Sequence, residues 1–320
     1  MKSMNLTQSI KEAALALGFD LVGVTTAEPI SADEQACFEK WLSMDCAAGM
    51  SWMHRNIAKR MHPAALLNGA RSVICTATVY GPLSPTETPE PPGAGPHGRI
   101  ADYARLDDYH VFLKDRLFAL ADAAAGLAGG KCPRFKICVD SAPLAERSLA
   151  RRAGLGFVGR NHMLTNERLG SQMLLGEIVT DLVLDADGPV PTACGDCNRC
   201  TKACPTGALR PDGGFDSARC ISYLTIEHSG PIDPALAPLI GDRLFGCDEC
   251  VLACPCTYHA PCRPCRQLPL RRPGRLPLRE VLTWNEENFR RCFADSPVER
   301  LGLERLQRNA RICLANADYV

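Results

Sequence analysis

Residues 194–205 read C-G-D-C-N-R-C-T-K-A-C-P, a C-x2-C-x2-C-x3-C-P run. Three closely spaced thiolates can wrap one face of an iron–sulfur cubane. The fourth, set before a proline that redirects the chain, reaches a second cluster, as in bacterial two-cluster ferredoxins. A second run should accompany the first. Residues 247–255 read C-D-E-C-V-L-A-C-P and lack one leading cysteine, and Cys220, between the runs, restores the ligand number to eight. Under crossed ligation Cys194, Cys197, Cys200 and Cys254 would hold one [4Fe–4S] cluster, and Cys204, Cys220, Cys247 and Cys250 the other. Tetrahedral zinc is the alternative for paired C-x2-C elements, but zinc ribbons rarely use this run. Cys256, Cys262 and Cys265 could hold a further metal with His259 or stand as free thiols, while Cys75 and Cys138, in apolar strands, read as core.

Two further features could carry chemistry. Asp140 ends the apolar run F-K-I-C-V and precedes Ser141-Ala142-Pro143. A carboxylate there sits at the carboxyl edge of a sheet, where ligands of α/β folds bind, or else it caps the helix that follows. Gly154, Gly156 and Gly159 spell G-x-G-x-x-G, but a dinucleotide fingerprint must follow a strand, and the preceding PLAERSLARRA reads as a helix. A glycine-rich turn after a helix is the better reading.

The elements that must position these residues are legible in outline. Leu6, Ile10, Ala13, Ala14 and Leu17 mark one helical face between Asn5 and Gly18, and Leu21 to Val24 follows as a short strand. Helices are expected near 33–45, 107–128 and 144–153, and strands at 72–80, 135–139 and 173–183. Such alternation predicts a layered α/β or α+β domain over residues 1–185. Gly81 to Gly98 carries six prolines and reads as a surface loop. Cysteines crowd residues 186–265, and residues 266–320 form a basic helical tail; between Arg263 and Arg311 twelve arginines face six acidic residues. The chain as a whole has 320 residues and balances 36 Lys and Arg against 36 Asp and Glu, so a nucleic-acid partner must be met by a local patch such as this tail. No long apolar run or export signal is visible, which suggests no membrane span and a cytoplasmic setting, where eighteen cysteines suit metal ligation better than disulfides.

The strings VDSAPLAERSLARRAGLGFVGRNHMLTNERLGSQMLLGEIVTDLVL, CGDCNRCTKACPTGAL, RCISYLTIEHSG and GDRLFGCDECVLACP resemble the epoxyqueuosine reductases. GMSWMHRNIAKRMHPAALLNGARSVI and GRIADYARLDDYH resemble that family's N-terminal motifs, and FRRCFADSPVERLGLERLQRNARICLANA its C-terminal one. The resemblance implies an α/β (α+β) cobalamin-binding domain, then a two-[4Fe–4S] ferredoxin-like domain and a short helical tail. It implies reduction of epoxyqueuosine to queuosine at the wobble position of tRNA, with electrons passing through the clusters to cobalamin. By motif, Asp140 matches the proposed proton donor, and Arg60, Tyr103, Asp140, Arg160, Asn161, Ser171, Ser222, Tyr223 and Asp248 fall where cobalamin contacts are expected. The family usually has C-P-W-N and G-K-N-T where this chain has Cys254-Pro255-Cys256-Thr257 and Gly159-Arg160-Asn161-His162.

Opening an epoxide to an alkene takes two electrons and an acid. An aspartic acid titrates near ~3.9, so a donor role for Asp140 predicts a raised pKa from burial or a nearby anion. The partners implied are tRNA carrying epoxyqueuosine, through its anticodon stem-loop, and an external low-potential electron donor. Arg290, Arg291, Arg300, Arg305, Arg308 and Arg311 are the expected phosphate contacts, against an ordinary solvated helical face. A reductive dehalogenase-like corrinoid enzyme and a ferredoxin-like electron-transfer module are the alternatives. The first usually carries an export signal, and the second needs only a small fraction of this length.

Overall fold

The computed structural model describes residues 5–82, 95–129, 132–261, 268 and 270–317. In the first half, helix α1 (Leu6–Ala16) starts where the Asn5 side chain accepts the Thr7 N–H at 3.1 Å. It ends at Gly18, whose φ of +90° a residue with a Cβ would resist. Strand β1 (Leu21–Thr26), helices α2 (Ala32–Ser43) and α3 (Ile57–Met61), and strands β2 (Ser72–Val79) and β3 (His97–Ile100) follow. Then come α4 (Tyr109–Leu127), β4 (Phe135–Cys138), α5 (Glu146–Arg152), β5 (Phe157–Val158), β6 (Leu164–Thr165) and β7 (Met173–Thr180).

Strands β1, β2, β7 and β4 form one sheet in that order, every pair antiparallel. All eight residues of β2 are buried because helices cover both of its faces. Ile74 and Ile178 point to α1 and α4, while Val73, Cys75, Ala77 and Val179 point to α5. That period of two explains why the segment reads as a continuous apolar run rather than an alternating one. The antiparallel order also corrects one premise: the carboxyl-edge rule for parallel sheets does not place Asp140. Asp140 is set instead by the turn that closes edge strand β4. Gly154 follows α5 with φ +81°, as a glycine-rich turn after a helix requires.

The second half holds short helices α6 (Arg199–Ala203), α7 (Ile221–Ile226) and α8 (Ala237–Ile240), strand β8 (Arg243–Phe245), and helices α9 (Glu249–Leu252) and α10 (Pro255–Tyr258). Strand β9 (Arg275–Pro277) and helices α11 (Leu278–Val281), α12 (Glu286–Phe293) and α13 (Leu303–Ala317) close the chain. A three-stranded sheet, β8-β3-β9, draws one strand from each of the three expected segments. His97 and Gly98 therefore belong to a strand, not to the proline-rich loop, whose residues 83–94 lie outside the described residues. Phe289, Phe293, Leu306 and Ala310 pack with Leu244, Phe245 and Ile100 in one core, so residues 270–317 are a structural layer and not an appendage.

That layer uses some of its basic residues internally. Arg305 donates to the carbonyls of Leu301, Ile226 and Arg300, Arg308 to those of His228, Gly230 and Leu224, and Arg300 pairs with Glu227. Arg305 and Arg308 tether α7 and the loop after it, contrary to the expectation of free phosphate contacts. Arg290, Arg291, Arg300 and Arg311 are exposed.

Buried Asn309 donates to the carbonyls of Thr225 at 2.9 Å and Leu244 at 3.0 Å, joining α13 to α7 and β8. Asn309→Ala leaves two buried acceptors without donors and should cost about 2–4 kcal/mol, read as a lowered denaturation midpoint against the wild-type chain.

Candidate functional site

The two cysteine runs meet where α6 lies against α9. All eight expected cluster cysteines are free thiols, and residues of both runs share two neighbourhoods. In one, Cys250 is raised first by burial and then by Cys247, Cys220 and Cys204, so four sulfurs share a small volume. Burial, with Cys220 among the further causes, pushes Cys247 up to about 11. In the other, burial raises Cys200, with Cys194 contributing. Cys194 also accepts the Arg160 backbone N–H at 3.4 Å. Cys256 is pushed up to about 11, by burial first and then by Cys254, with which it hydrogen-bonds, and by Cys194. Cys254 and Cys194 therefore share one neighbourhood although 60 residues apart. Among the described residues no three His, Cys, Asp or Glu converge on the position of a single ion. A cubane asks for a wider frame, its ligands standing at the corners of a box. Cys262 and Cys265 lie outside the described residues.

Beside the Cys204–Cys250 group opens a cavity of about 910 Å³. Phe38, Trp41, Met50 and Met53 give it an apolar wall, and Cys204, Cys220, Cys247 and Cys250 lie along its other side. Of the expected cobalamin contacts, Tyr103, Asn161, Ser222 and Asp248 line it. Burial pushes the Asp248 carboxyl up to about 7, and the carboxyl accepts the Asp102 N–H at 2.8 Å. Asn161 is held by the Cys250 carbonyl at 3.3 Å. His162, at φ +59°, also faces this cavity, packs against Phe215 and is lowered by burial, so its ring is neutral.

The other expected contacts sit elsewhere. Ser171 is fully buried, its hydroxyl within hydrogen-bond reach of Thr165 and Thr257, so Thr257 at the departing C-P-C-T string clamps this turn. The Tyr223 hydroxyl accepts the Gly49 N–H at 2.8 Å and anchors the loop that carries Met50. The Arg160 guanidinium reaches the Gly195 carbonyl at 3.2 Å, beside the first thiol group. Arg60 lies under α5, its backbone carbonyl accepting the Ala145 N–H at 3.2 Å.

Tyr103 also lines a second, smaller cavity of about 250 Å³ with Asp108, Tyr109, His110, Glu299 and Arg300. Asp140 meets this group through His110. The imidazole bridges two carboxylates, Nδ1 to Asp108 at 2.7 Å and Nε2 to Asp140 at 3.1 Å. The Asp140 bond, more than the Asp108 bond, holds His110 above the ordinary histidine range. His110 in turn holds Asp140 below the usual carboxylate range against an opposing effect of burial. The expected raised pKa of Asp140 is thus overturned, because its nearest neighbour is a cation and not an anion. Of the two groups, His110 is the one whose proton is favoured. Sequence reasoning carried His110, Tyr109 and Asp108 only inside a motif string; the signal was an acidic-aromatic-His cluster opening a helix, meaningless without Asp140, 30 residues away.

Residues 193–257 match the family "4Fe-4S double cluster binding domain" and residues 60–141 the family "Epoxyqueuosine reductase QueG, DUF1730". The chain is 38% identical over 317 residues to the epoxyqueuosine reductase of Salmonella typhimurium, covering 98% of this chain and 81% of that protein. It is 36% identical over 319 residues to the Escherichia coli one, covering 98% and 82%. Among solved structures, the Streptococcus thermophilus enzyme superposes with a TM-score of 0.86 at 30% identity, over 98% of this chain and 82% of that one. An epoxyqueuosine reductase bound to an epoxyqueuosine-modified tRNA-Tyr stem loop gives 0.88 at 30%, over 97% and 81%.

The His110⁺–Asp140⁻ pair exists above the depressed pKa of Asp140 and below the raised pKa of His110. NMR titration should place the His110 imidazole above the ordinary ~6.5, and Asp140→Asn should bring it down toward that value.

Proposed function

The chain belongs to the epoxyqueuosine reductase family, and on that premise we propose that it reduces the epoxide of epoxyqueuosine on tRNA to the alkene of queuosine, using two [4Fe–4S] clusters and cobalamin. The balance is epoxide plus two electrons and two protons to alkene plus water. One observation carries the reading: the four-thiol group around Cys250 opens onto the large cavity, and Tyr103 joins that cavity to the pocket beside His110 and Asp140.

The double-cluster match covers both cysteine runs. Cys194, Cys197, Cys200 and Cys254 would hold the outer cluster, and Cys204, Cys220, Cys247 and Cys250 the one beside the cavity. The cavity's apolar wall and few convergent polar groups suit a large flat cofactor. When bound there, cobalamin supplies a strongly reducing cobalt centre, and that chemistry belongs to the cofactor. Asn161, Ser222 and Asp248 would hold its edge amides, and the Phe38, Trp41 and Met53 side would exclude water. An external low-potential donor would deliver electrons to the outer cluster first.

The small pocket would take the modified base, splayed out of the anticodon loop. Asp140, ionised at rest, hands on a proton that His110 holds: the imidazolium donates through Nε2 to Asp140, which then protonates the departing oxygen. Asp108 keeps the ring oriented through Nδ1. Arg300, paired with Glu227 at 2.6 Å, stands over the same pocket. Phosphates would be met by exposed Arg290, Arg291 and Arg311.

Anaerobic reconstitution followed by reaction of epoxyqueuosine-tRNA with a low-potential reductant tests the reading. Queuosine should form, and Asp140→Asn should lose it while keeping iron and cobalamin; absence of cobalamin binding, or full turnover by the variant, overturns it. Binding of tRNA should weaken with salt, and Arg290→Ala with Arg291→Ala should lower the log–log slope by about 0.7–0.9 for each phosphate no longer neutralised. Arg308→Ala should alter stability and leave that slope in place.

A further inference from the structure

We propose that Glu146 is a positioning residue for Asp140: its carboxylate accepts the Asp140 backbone N–H and latches the turn after β4, while Glu177 beneath it secures that carboxylate through a proton held between the two. The inference rests on the reading of Asp140 as the proton-handling residue.

Asp140 lies in the left-handed region at φ +46°, which costs a residue with a Cβ about 1–2 kcal/mol. It also follows an edge strand whose ladder ends at Cys138, so no strand pairing holds it. Its N–H donates to Glu146 Oε1 at 2.6 Å, across the turn from the first residue of α5. This bond aims the Asp140 side chain at His110. Beneath, Glu177 sits on β7 directly opposite Cys138, with no solvent exposure and no conventional donor on either carboxyl oxygen. After burial, the Glu146 carboxyl is the neighbour that raises Glu177 most. Two carboxyls that face each other can bond only through a shared proton, which the higher-shifted Glu177 would donate and Glu146 accept, leaving Oε1 to Asp140.

The groups facing Glu146 come from every side: Asp140 from the turn, Arg147 from its own helix, Arg60 from α3, Glu177 from β7, Cys75 from β2, and Cys138 and Tyr109 from β4 and α4. Burial first, and Asp140 next, push Glu146 up to about 7. Burial and then Glu146 push Glu177 higher still. Above about 7 the pair therefore carries one proton and the latch one charge. As pH falls through about 7, Glu146 takes a second proton and the bond to Asp140 loses its charge assistance, which weakens it about twofold.

The test uses enzyme reconstituted with both clusters and cobalamin. Glu146→Ala should lower kcat roughly ten- to hundred-fold, the loss of one bond to a charged acceptor, with iron and cobalamin content unchanged. Glu146→Gln, which keeps an oxygen acceptor, should recover part of that loss. Hydrogen exchange of the Asp140 amide should be fast in Glu146→Ala, slow in wild type, and the acid limb of kcat with midpoint near 7 should vanish in both variants. Unchanged amide protection, or an acid limb that survives Glu146→Gln, overturns the latch. If Asp140→Asn is inactive while Glu146→Ala turns over normally, the latch fails and the role of Asp140 stands; an active Asp140→Asn removes the role itself.

Discussion

The crossing of two short cysteine runs is the constraint on which the rest of the molecule depends. Cys204 leaves the first run to join Cys220, Cys247 and Cys250, and Cys254 leaves the second to join Cys194. Helices as short as α6 and α9, of five and four residues, have little stability of their own in water. Eight thiolates on two metal frames would supply what those helices cannot, since metal binding and folding are one equilibrium in such segments. The arrangement also fixes orientation, because one thiol group faces the large cavity and the other faces outward near Arg160.

From that anchor the remaining architecture follows in layers. Strand β3, between the loop beyond β2 and helix α4, pairs with β8 just before the second cysteine run and with β9 after it. Tyr103 and Asp102, immediately beyond β3, are thereby pinned against Asp248 and between the two cavities. On the far side of the smaller cavity, His110, Asp140, Glu146 and Glu177 form a series of titratable groups with opposed shifts. Asp140 is kept ionised by a neighbouring cation, and the buried glutamates are driven toward protonation. A site that must both hold and release protons near neutral pH is built from such opposed environments.

Much of this was legible in the sequence, and what was not had a physical reason. The bounds of α1, α2 and α4 and the long strands β2 and β7 follow from local periodicity, because one face or both faces pack continuously. Strands β3, β8 and β9 have three or four residues each and exist only through pairing with partners far away in the chain, so no local pattern announces them. The basic tail read as a set of phosphate contacts because a composition count cannot tell a free guanidinium from one spent on backbone carbonyls, as in Arg305 and Arg308. Asp140 was recognisable as a residue of interest, but the direction of its pKa depends on His110, which only the tertiary fold brings to 3.1 Å. The eight cysteines were readable because their spacing is itself the chemistry.

The crossed arrangement requires Cys220 to join Cys204, Cys247 and Cys250 and not to stand apart as a buried thiol. Iron and acid-labile sulfide, measured on anaerobically purified Cys220→Ser alongside wild type with cluster signals followed by electron paramagnetic resonance, address this most directly. Wild type should carry two cubanes, and the variant should lose or alter the signal of one while the other is unchanged. A variant with full iron content and both signals intact would contradict the crossed arrangement.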